Sequence, residues 1–353
     1  MKVLIAAGIY PPDAGGPAIH AKAQFEGFPK FGIKTGLVTF AHYRKWPMGV
    51  RHFLYFLALL ARVSGYDLVY AHDALGTGIP ALMAAKIFGK KFMVRIGGDI
   101  AWESESLKSR LSMKEWYEKG EYLKSLRFKL SRWLMRHADI IATTSPIMND
   151  LYATYYGISR DKIKLLPNPV SETPQYSVSK GNTIIFASRL TAYKNLSFVL
   201  KVLAEIFPNE PALKLMIMGD GPEKRNLEKL AYDLGIQNNV IFTGAVSLDE
   251  VLKRTAACLF VIAPALTEFN PNYVLQGVSF GKPFLISREH GLPFAVPDSL
   301  TFNPRNVHEL KEKIVSLLEP AHYARMSQEA RNIGFKMSWD DNLKMNKELI
   351  MSL

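Results

Sequence analysis

The chain has 353 residues, of which 48% are hydrophobic, 22% charged and 11% aromatic. This balance excludes a disordered or low-complexity protein, and the length predicts two domains of about 150 to 200 residues each. A formal net charge of +12 predicts an anionic partner, which could be nucleic acid, an anionic membrane surface or a phosphorylated substrate.

The first predicted element is a buried strand at residues 3–7. This apolar start runs directly into Tyr10-Pro11-Pro12 without a cleavage region, so it is not interpreted as a signal peptide. The longest apolar run, 53–61, is shorter than the roughly 20 residues of a membrane span, and no transmembrane helix is expected. The single cysteine, Cys258, excludes an intramolecular disulfide and lies in an apolar run, so an inert core thiol in a cytosolic protein is favoured.

Short apolar runs alternate with helical patterns along the chain, which is typical of a parallel sheet covered by helices. The candidate strands are 3–7, 35–39, 68–71, 92–96 and 140–143, then 183–187, 214–218, 240–243, 258–262 and 283–286. The fold class is therefore predicted as α/β, with two doubly wound Rossmann-like domains at 1–168 and 169–337. Pro167, Pro169 and Pro174 mark the linker. The tail 338–353 is predicted to be a helix, and its packing back on the first domain is left open.

Ligands bind open α/β sheets at the carboxyl ends of the strands, so two facing domains would form a cleft there. The loop after the first strand contains Gly15 and Gly16, and a helical pattern begins near Ala18. Paired glycines before a helix let the backbone approach an anion closely, although a glycine turn is often only a turn. The loop is neither the Gly-x-Gly-x-x-Gly of dinucleotide binders nor a P-loop.

In the second half, Arg189 follows a predicted strand and Lys194 comes at the next helix start. Two cations at the mouth of a sheet can neutralise a diphosphate, and a solvated turn is the alternative. The following strand ends in Gly219-Asp220-Gly221-Pro222, a tight turn suited to backbone contact with a nucleoside.

The stretch from Glu268 to Gln276 is the most informative part of the chain. Asn270 is a predicted N-cap and Pro271 the first helical residue, so the helix start would bind an anion with the help of its dipole. The N–H groups aimed at that anion are those of Asn272, Tyr273 and Val274. With an acid and an amide eight residues apart, the site suits a nucleoside diphosphate joined to a sugar.

These motifs together resemble the retaining glycosyltransferases of family 4, which have the GT-B fold. The resemblance spans nearly the whole chain and rests on the following residues, in order: the Gly15-Gly16 loop, Arg189 with Lys194, Gly219-Asp220-Gly221-Pro222, and Glu268 with Gln276 and Gly281-Lys282-Pro283. It implies transfer of a sugar from a nucleotide sugar to a glycan or lipid-linked acceptor, with retention at the anomeric carbon and no bound metal or other cofactor. The chain contains no Asp-x-Asp motif for a metal-bound diphosphate.

The resemblance also implies roles for individual residues. Arg189 and Lys194 would hold the donor diphosphate and stabilise it as a leaving group, and Gly16 would contact the same phosphates. Glu268 would lie beside the donor sugar, and Gln276 would face the ribose hydroxyls. Preorganised cations and N–H dipoles are the groups that best stabilise charge on a departing phosphate. In the mechanism usually proposed for such enzymes, a phosphate oxygen takes the proton of the acceptor on the same face.

Three positions depart from the family pattern. Gln276 replaces a second Glu, and Pro271 replaces a Gly, which removes one backbone N–H. Gly97-Gly98-Asp99 stands where many relatives have a His that contacts the donor sugar. Asp99 or Glu103 would take that polar role, and the stretch from Gly98 to Glu103 most resembles a bacterial subgroup with the pattern Gly-Asp-x-x-Trp-Glu. The alternative is that Asp99 only caps the following turn.

Residues 108–136 form a basic segment with nine Lys or Arg against three Glu. Its aromatic residues are Trp116, Tyr117, Tyr122, Phe128 and Trp133. Such a region can lie on an anionic membrane surface, with a solvated face as the alternative. No nucleic-acid recognition motif accompanies it, so nucleic acid is not an expected partner. We expect a cytoplasmic protein, with a peripheral position at the inner face of the membrane as a hypothesis.

Two other functions stay open from the sequence. One is a sugar-nucleotide epimerase of the same overall fold. A transferase is favoured over it by Arg189, Lys194 and the spacing from Glu268 to Gln276. The other is a catalytically weakened relative that binds the donor or acts as a scaffold. Gln276 and the missing His are the reasons to consider it.

Overall fold

The computed structural model describes residues 1–13, 15–170 and 176–353, apart from the side chains of residues 107 and 108. The chain divides into two compact units. The first unit comprises Met1–Ser104, Tyr117–Pro169 and Met337–Leu353, and the second comprises Glu105–Trp116 and Val170–Lys336. Glu105–Trp116, which lies within the predicted first domain, thus groups with the second unit. Of the linker prolines, Pro174 lies outside the described residues.

The first unit is built on a six-stranded parallel sheet with the order β2-β1-β3-β4-β5-β6. Its strands are β1 (Lys2–Ala7), β2 (Lys34–Thr39), β3 (Leu68–Ala71), β4 (Lys91–Ile96), β5 (Ile140–Thr143) and β6 (Ile163–Leu165). The helices between β1 and β6 are α1 (Gly16–Gly27), α2 (Met48–Val63), α3 (Gly78–Ile87), α4 (Ile100–Ser109), α5 (Met113–Glu118), α6 (Leu126–His137) and α7 (Pro146–Thr154). The end of α4 and the start of α5 lie in Glu105–Trp116 and so belong to the second unit. The central strands are apolar and buried because helices cover the sheet.

The second unit has its own six-stranded parallel sheet, with the order β12-β11-β10-β7-β8-β9. Its strands are β7 (Thr183–Ala187), β8 (Lys214–Met218), β9 (Val240–Gly244), β10 (Phe260–Ala263), β11 (Phe284–Ser287) and β12 (Thr301–Phe302). Its helices are α8 (Leu196–Ala204), α9 (Lys224–Asp233), α10 (Leu248–Ala256), α11 (Asn272–Ser279), α12 (Val307–Leu318) and α13 (Pro320–Asn332). The two doubly wound α/β sheets confirm the predicted fold class.

The predicted strands are all present, with ends that shift by up to two residues. Two short strands, β6 and β12, were not predicted, because runs of three and two residues carry too little of the apolar pattern. The start of α11 also differs from the prediction: Pro271 is the cap and Asn272 the first helical residue.

The terminal helix α14 (Trp339–Met351) lies in the first unit and begins with a capping box of Ser338 and Asp341. The Asn342 side chain donates to the carbonyl of Pro167 at 2.8 Å, and the Tyr70 hydroxyl donates to Asn346 at 2.8 Å. Buried polar groups with satisfied partners specify one arrangement, so these bonds fix α14 against the first sheet. Among the described residues, no helix is both long and apolar enough to cross a membrane.

Candidate active site

Two loops at the carboxyl end of the second sheet are joined through their backbones. The N–H of Ser188 donates to the carbonyl of Met218 at 3.1 Å, and that of Leu190 donates to the carbonyl of Asp220 at 2.9 Å. This pairing holds the backbone of Arg189, whose side chain is exposed at the strand end.

The glycines of the turn make this close approach possible. Gly219 and Gly221 have φ of 151° and 157°, and a Cβ on them would lie 2.0 Å from the Ser188 oxygen and 2.3 Å from the Leu190 oxygen. Neither space nor backbone conformation admits a side chain there. The N–H of Gly219, predicted to contact the donor, donates to the carbonyl of Gly244 at 2.8 Å.

Lys194 and Glu268 form a buried ion pair. The Lys194 Nζ lies 2.8 Å from each carboxylate oxygen of Glu268, and the two residues are only 8% and 2% exposed. The loops that carry them are joined by the N–H of Leu266, which donates to the carbonyl of Tyr193 at 2.9 Å. Burial makes each charge depend on the other, so the pair is a single preorganised unit.

The backbone of Glu268 is held on both sides by the loop after β11. Its N–H donates to the carbonyl of Glu289 at 2.9 Å, and its own carbonyl accepts from Gly291 N–H at 2.7 Å. These bonds form a parallel bridge with His290, a residue that the sequence analysis missed. Burial lowers the pKa of His290 below its usual value.

Helix α11 packs tightly on the sheet next to Glu268. A Cβ on Gly277 would lie 2.9 Å from the Val261 side chain, and the Tyr273 hydroxyl donates to the Ile262 carbonyl at 3.2 Å. Burial, with the Glu268 carboxylate as a second cause, raises the pKa of Tyr273 well above its usual value. The Gln276 side chain is also buried.

The first turn of α11 changes the predicted anion site. The N–H of Val274 donates to the carbonyl of Pro271 at 3.0 Å, because the helix starts one residue later than predicted. This hydrogen bond engages the N–H of Val274, and the role of Asn272, Tyr273 and Val274 in an anion site stays a prediction.

Segment Glu105–Trp116 contacts the loops that flank Glu268, which the sequence did not indicate. The N–H of Met113 donates to Thr267 Oγ1 at 2.8 Å, and that of Lys114 donates to Glu289 Oε1 at 2.9 Å. Arg305 donates to both carboxylate oxygens of Glu115, at 2.5 and 2.7 Å. This bidentate geometry fixes the segment to the second unit.

In the first unit, the glycine loop leads into α1 as predicted. Gly15 has φ of 132° and caps the helix, and its carbonyl accepts from Ala18 N–H at 3.1 Å. Gly16 is the first helical residue and Pro17 the second, within the first turn, where a backbone N–H has no partner inside the helix and a proline is tolerated. The preceding residue, Ala14, lies outside the described part of the chain.

Asp99 is buried at the start of α4. Its carboxylate accepts from the hydroxyls of Tyr117 and Tyr156 at 2.7 and 2.9 Å and from Trp102 N–H at 2.9 Å. Burial raises the pKa of Asp99 from its usual value, against the opposite effect of these hydrogen bonds. The capping arrangement considered from the sequence is therefore present, and a contact with the donor sugar stays a prediction.

Arg95 is a buried cation that the sequence analysis did not single out, because it stands inside an apolar strand. Its guanidinium lies 3.2 Å from His20 Nε2 and donates to Asn168 Oδ1 at 2.5 Å. No carboxylate pairs with it among the residues that the structure describes. Burial lowers the pKa of Arg95 to about 10, and burial followed by the charge of Arg95 lowers the pKa of His20 well below its usual value.

The basic segment 108–136 does not present its aromatic residues as one surface. Trp116, Tyr117 and Phe128 are buried in the core, whereas Trp133 is exposed on α6. The aromatic set predicted to face a membrane is thus mostly structural, because the segment folds into separate elements rather than one amphipathic helix.

Two further residues have structural roles in the second unit. The buried Lys282 donates to the carbonyls of Cys258, at 2.8 Å, and Ser179. Burial lowers the pKa of Lys282 and raises that of the Cys258 thiol to about 12. Cys258 is buried as predicted, and an inert thiol stays the interpretation because the thiolate is the nucleophilic form.

The described residues contain no group of three or more His, Cys, Asp or Glu placed to hold a metal ion. Glu268 is engaged by Lys194, and Asp99 by two tyrosines.

Comparison with known proteins gives two family matches that divide the chain. The model described as Glycosyltransferase Family 4 matches residues 9–173, and the model described as Glycosyl transferases group 1 matches residues 172–333. An uncharacterized glycosyltransferase of Methanocaldococcus jannaschii is 22% identical over 98% of this chain and 96% of its own length.

Two other comparisons are a partial sequence match and a structural match. Alpha-monoglucosyldiacylglycerol synthase of Streptococcus pneumoniae is 30% identical over 38% of this chain and 35% of its own length. The crystal structure of HepE of Anabaena in complex with UDP and glucose superposes with a TM-score of 0.76 at 16% identity, and the match covers all of both chains. The structural likeness concerns the fold.

Proposed function

This chain is a glycosyltransferase with the GT-B fold, and we propose that it transfers a sugar from a nucleotide sugar to a glycan or lipid-linked acceptor with retention at the anomeric carbon. The observation that carries the proposal is the buried pair of Lys194 and Glu268, and the exposed Arg189 lies on the same connection between β7 and α8 as Lys194. Together these residues provide cations that can bind a diphosphate and a carboxylate that can accept hydrogen bonds from sugar hydroxyls.

Arg189 and Lys194 bind the diphosphate of the donor. The N–H groups of Asn272 and Tyr273 at the start of α11 add the positive end of a helix dipole. All of these groups stabilise negative charge that grows on the phosphate as the bond to the sugar breaks. The complex of HepE with UDP and glucose makes a uridine diphosphate sugar the first donor to test.

Glu268 orients the donor sugar by accepting hydrogen bonds from its hydroxyls. Its position is set before the donor binds, through Lys194 at one end and the backbone bonds to Glu289 and Gly291 at the other. The acceptor oxygen forms a bond to the anomeric carbon on the face that the phosphate leaves. The bond from that carbon to the phosphate oxygen breaks, and this oxygen takes the acceptor proton.

The reaction proceeds without a metal ion. Arg189 and Lys194 supply the positive charge that a divalent cation would otherwise bring to the phosphates. Transfer measured with and without an excess of EDTA tests this, and a rate that EDTA abolishes and Mg²⁺ restores would contradict it.

The acceptor is a glycan or a lipid-linked molecule. The synthase of Streptococcus pneumoniae that resembles part of this chain is named for a glucosylated diacylglycerol, which supports a lipid acceptor. A panel of diacylglycerol, glycolipids and soluble glycans, scored by release of nucleoside diphosphate with each acceptor, separates these classes. Donor consumption that needs no acceptor and gives an epimer would instead indicate an epimerase, and donor binding without turnover would indicate a binding subunit.

A thermal-shift screen of nucleoside diphosphates and nucleotide sugars tests the phosphate site directly. We expect the wild type to be stabilised by one nucleotide class, by about 2.7 kcal/mol at a hundredfold excess over Kd. Arg189→Ala and Lys194→Ala should lose most of this response, each measured against its own unliganded melting temperature. Arg225→Ala, which removes an exposed arginine from α9, is the matched control and should respond as the wild type does. The phosphate site is wrong if the wild type responds to no nucleotide, or if both site variants respond as strongly as it does.

A further inference from the structure

Helix α2 in the first unit is apolar on both sides, but only one side is buried. Tyr55, Leu59 and Val63 face the core. On the opposite side Phe53 is 59% exposed, and Val50 and Leu57 are also exposed. A helix that is hydrophobic all round is normally covered on all sides, so the outer side of α2 is expected to have a partner.

The exposed apolar surface continues over two neighbouring helices. α2 packs on α3, and α3 packs on α6. Right-handed crossovers from β2 through β3 and β4 to β5 place the three helices in one layer on one face of the sheet. The exposed apolar residues are Val50, Phe53 and Leu57 on α2, Met83 and Ile87 on α3, and Leu126, Leu130 and Trp133 on α6. We call this surface the α2-α3-α6 face.

A shallow apolar cavity joins two of these helices. It has a volume of about 340 Å³ and is lined by Leu82, Met83, Lys86, Ile87, Trp133 and His137. Ile87 in its lining is 63% exposed. At the other end of α6, outside the cavity, Leu126 is 68% exposed. The face can therefore receive flexible apolar groups between α3 and α6.

Charge indicates what covers this face. The sequences of α2, α3 and α6 contain no Asp or Glu. Their cations are Arg51, Arg62, Lys86, Arg127, Lys129, Arg132 and Arg136. Within the described residues, the acid paired with a cation of these helices is Asp139, which lies 3.9 Å from Lys86. A surface that is apolar and cationic without interspersed acids fits an anionic, apolar partner.

We propose that the α2-α3-α6 face docks on an anionic lipid bilayer. Phe53, Ile87 and Leu126 enter the boundary between headgroups and acyl chains, while Arg127 and Lys129 remain at the level of the lipid phosphates. A second copy of the chain fits less well, because a symmetric contact would bring two cationic faces together. Of the basic segment 108–136, only α6 takes part, and α2 and α3 supply the larger share of the apolar surface.

The inference rests on the proposed function in one respect: a lipid-linked acceptor would reach the protein at the membrane on which this face docks. Its test measures binding, whereas the nucleotide thermal shift measures the donor site. A variant that loses membrane binding and keeps the nucleotide response separates the two, so that failure of one leaves the other standing.

Vesicle flotation of the full chain is the experiment. Vesicles of phosphatidylcholine with 30% phosphatidylglycerol, taken as roughly the anionic content of a charged leaflet, are compared with vesicles of phosphatidylcholine alone. We expect the wild type to float with the anionic vesicles, to bind the neutral ones weakly, and to be released as salt rises. Equal binding to both kinds of vesicle, or none to either, would overturn the proposal.

Variants locate the contact. Phe53→Ser with Leu126→Ser removes two exposed apolar side chains, and Arg127→Glu with Lys129→Glu reverses two charges. Each cation lost should weaken binding about fivefold, and each reversal more. The matched control is Tyr232→Ser with Lys229→Glu on α9 of the second unit, where Tyr232 is 71% exposed. Loss of binding in the control as large as in the face variants would refute the assignment.

Two further readouts complete the test. Trp46 and Trp133 are exposed, whereas Trp102 and Trp116 are buried. Brominated lipids should therefore quench the emission of exposed tryptophans, and Trp133→Phe should lose the part of the quenching that comes from α6. Sedimentation of the wild type in the absence of lipid should show no dimer that depends on Phe53 and Leu126. Such a dimer would assign the face to self-association and overturn the membrane proposal.

Discussion

The Lys194 Nζ lies 2.8 Å from both carboxylate oxygens of Glu268, although 74 positions separate the two residues in the chain. Both side chains are buried, so each charged group has lost its contacts with water and is hydrogen-bonded to the other instead. Attraction between such charges seldom exceeds the cost of dehydrating them, and replacement by an apolar pair is often neutral for stability. The pair is therefore better explained by the chemistry of the site than by the stability of the fold.

Removing one partner should be far more harmful to stability than removing both. Glu268→Gln leaves the Lys194 ammonium buried without a counter-charge, and we expect a loss of about 3 kcal/mol in the free energy of unfolding. Lys194→Met with Glu268→Leu should recover most of that loss while transfer activity stays abolished. Urea unfolding and nucleoside diphosphate release measure the two effects. If Glu268→Gln is as stable as the wild type, the pair is open to solvent and this interpretation fails.

Gly219→Ala should disturb the loop that carries Arg189. The new Cβ would lie 2.0 Å from the Ser188 oxygen, so the pairing of the two loops must break. We expect a loss of stability beyond the roughly 1 kcal/mol of an unfavourable backbone conformation, together with a weaker response to nucleotides. Gly235→Ala is the control, since Gly235 has φ of 71° and nothing lies within 4 Å of its Cβ position. Equal effects of the two substitutions would show that the close approach does not matter.

Stability should fall in acid partly because of His72. Burial and then the charge of Arg95 lower the pKa of His72 to about 3, so the folded protein keeps this imidazole neutral while the unfolded chain protonates it near 6.5. The contribution of His72 to the free energy of unfolding is complete above pH 6.5. It is lost as the pH falls toward 3, at about 1.4 kcal/mol per pH unit. The neighbouring His20, whose pKa is also lowered, acts in the same direction.

His72→Gln should reduce this pH dependence. His72 Nε2 lies 2.7 Å from Gln24 Oε1, and a glutamine amide can donate to the same oxygen. Urea unfolding at pH 7 and pH 5 should show a smaller difference for His72→Gln than for the wild type, while His308→Gln, on an exposed position, should match the wild type. An unchanged difference in His72→Gln would mean that this histidine is not protonated on unfolding.

Arg305→Ala should loosen segment Glu105–Trp116 with little effect on global stability. The pair with Glu115 is partly exposed, and such pairs contribute about 1 kcal/mol or less. Its loss should speed hydrogen exchange at the amides of Met113 and Lys114, which donate to Thr267 and Glu289 beside Glu268. Lys311→Ala, which removes an exposed pair with Glu205, should leave that exchange unchanged. If the amides of Met113 and Lys114 exchange at the same rate in both variants, the Arg305–Glu115 pair does not hold this segment.

The fold could be predicted from the sequence because its signals are local. Short apolar runs such as 68–71 and 214–218 coincide with strands, since parallel strands covered on both faces need continuous apolar side chains. The glycine turn at Gly219 and the cation after β7 were also visible, because turn chemistry and strand ends are set by neighbouring residues.

Contacts between distant positions needed the tertiary structure. No pattern in the sequence pairs Lys194 with Glu268, places Glu115 against Arg305, or encloses Asp99 between Tyr117 and Tyr156. The burial of Trp116 and Phe128 and the exposure of Phe53 likewise follow from which side of a helix meets the sheet. The sequence by itself determined the succession of strands and helices and the residue types at the strand ends. Only the tertiary structure decided which charges meet and which apolar residues stay uncovered, because both depend on packing between elements far apart in the chain.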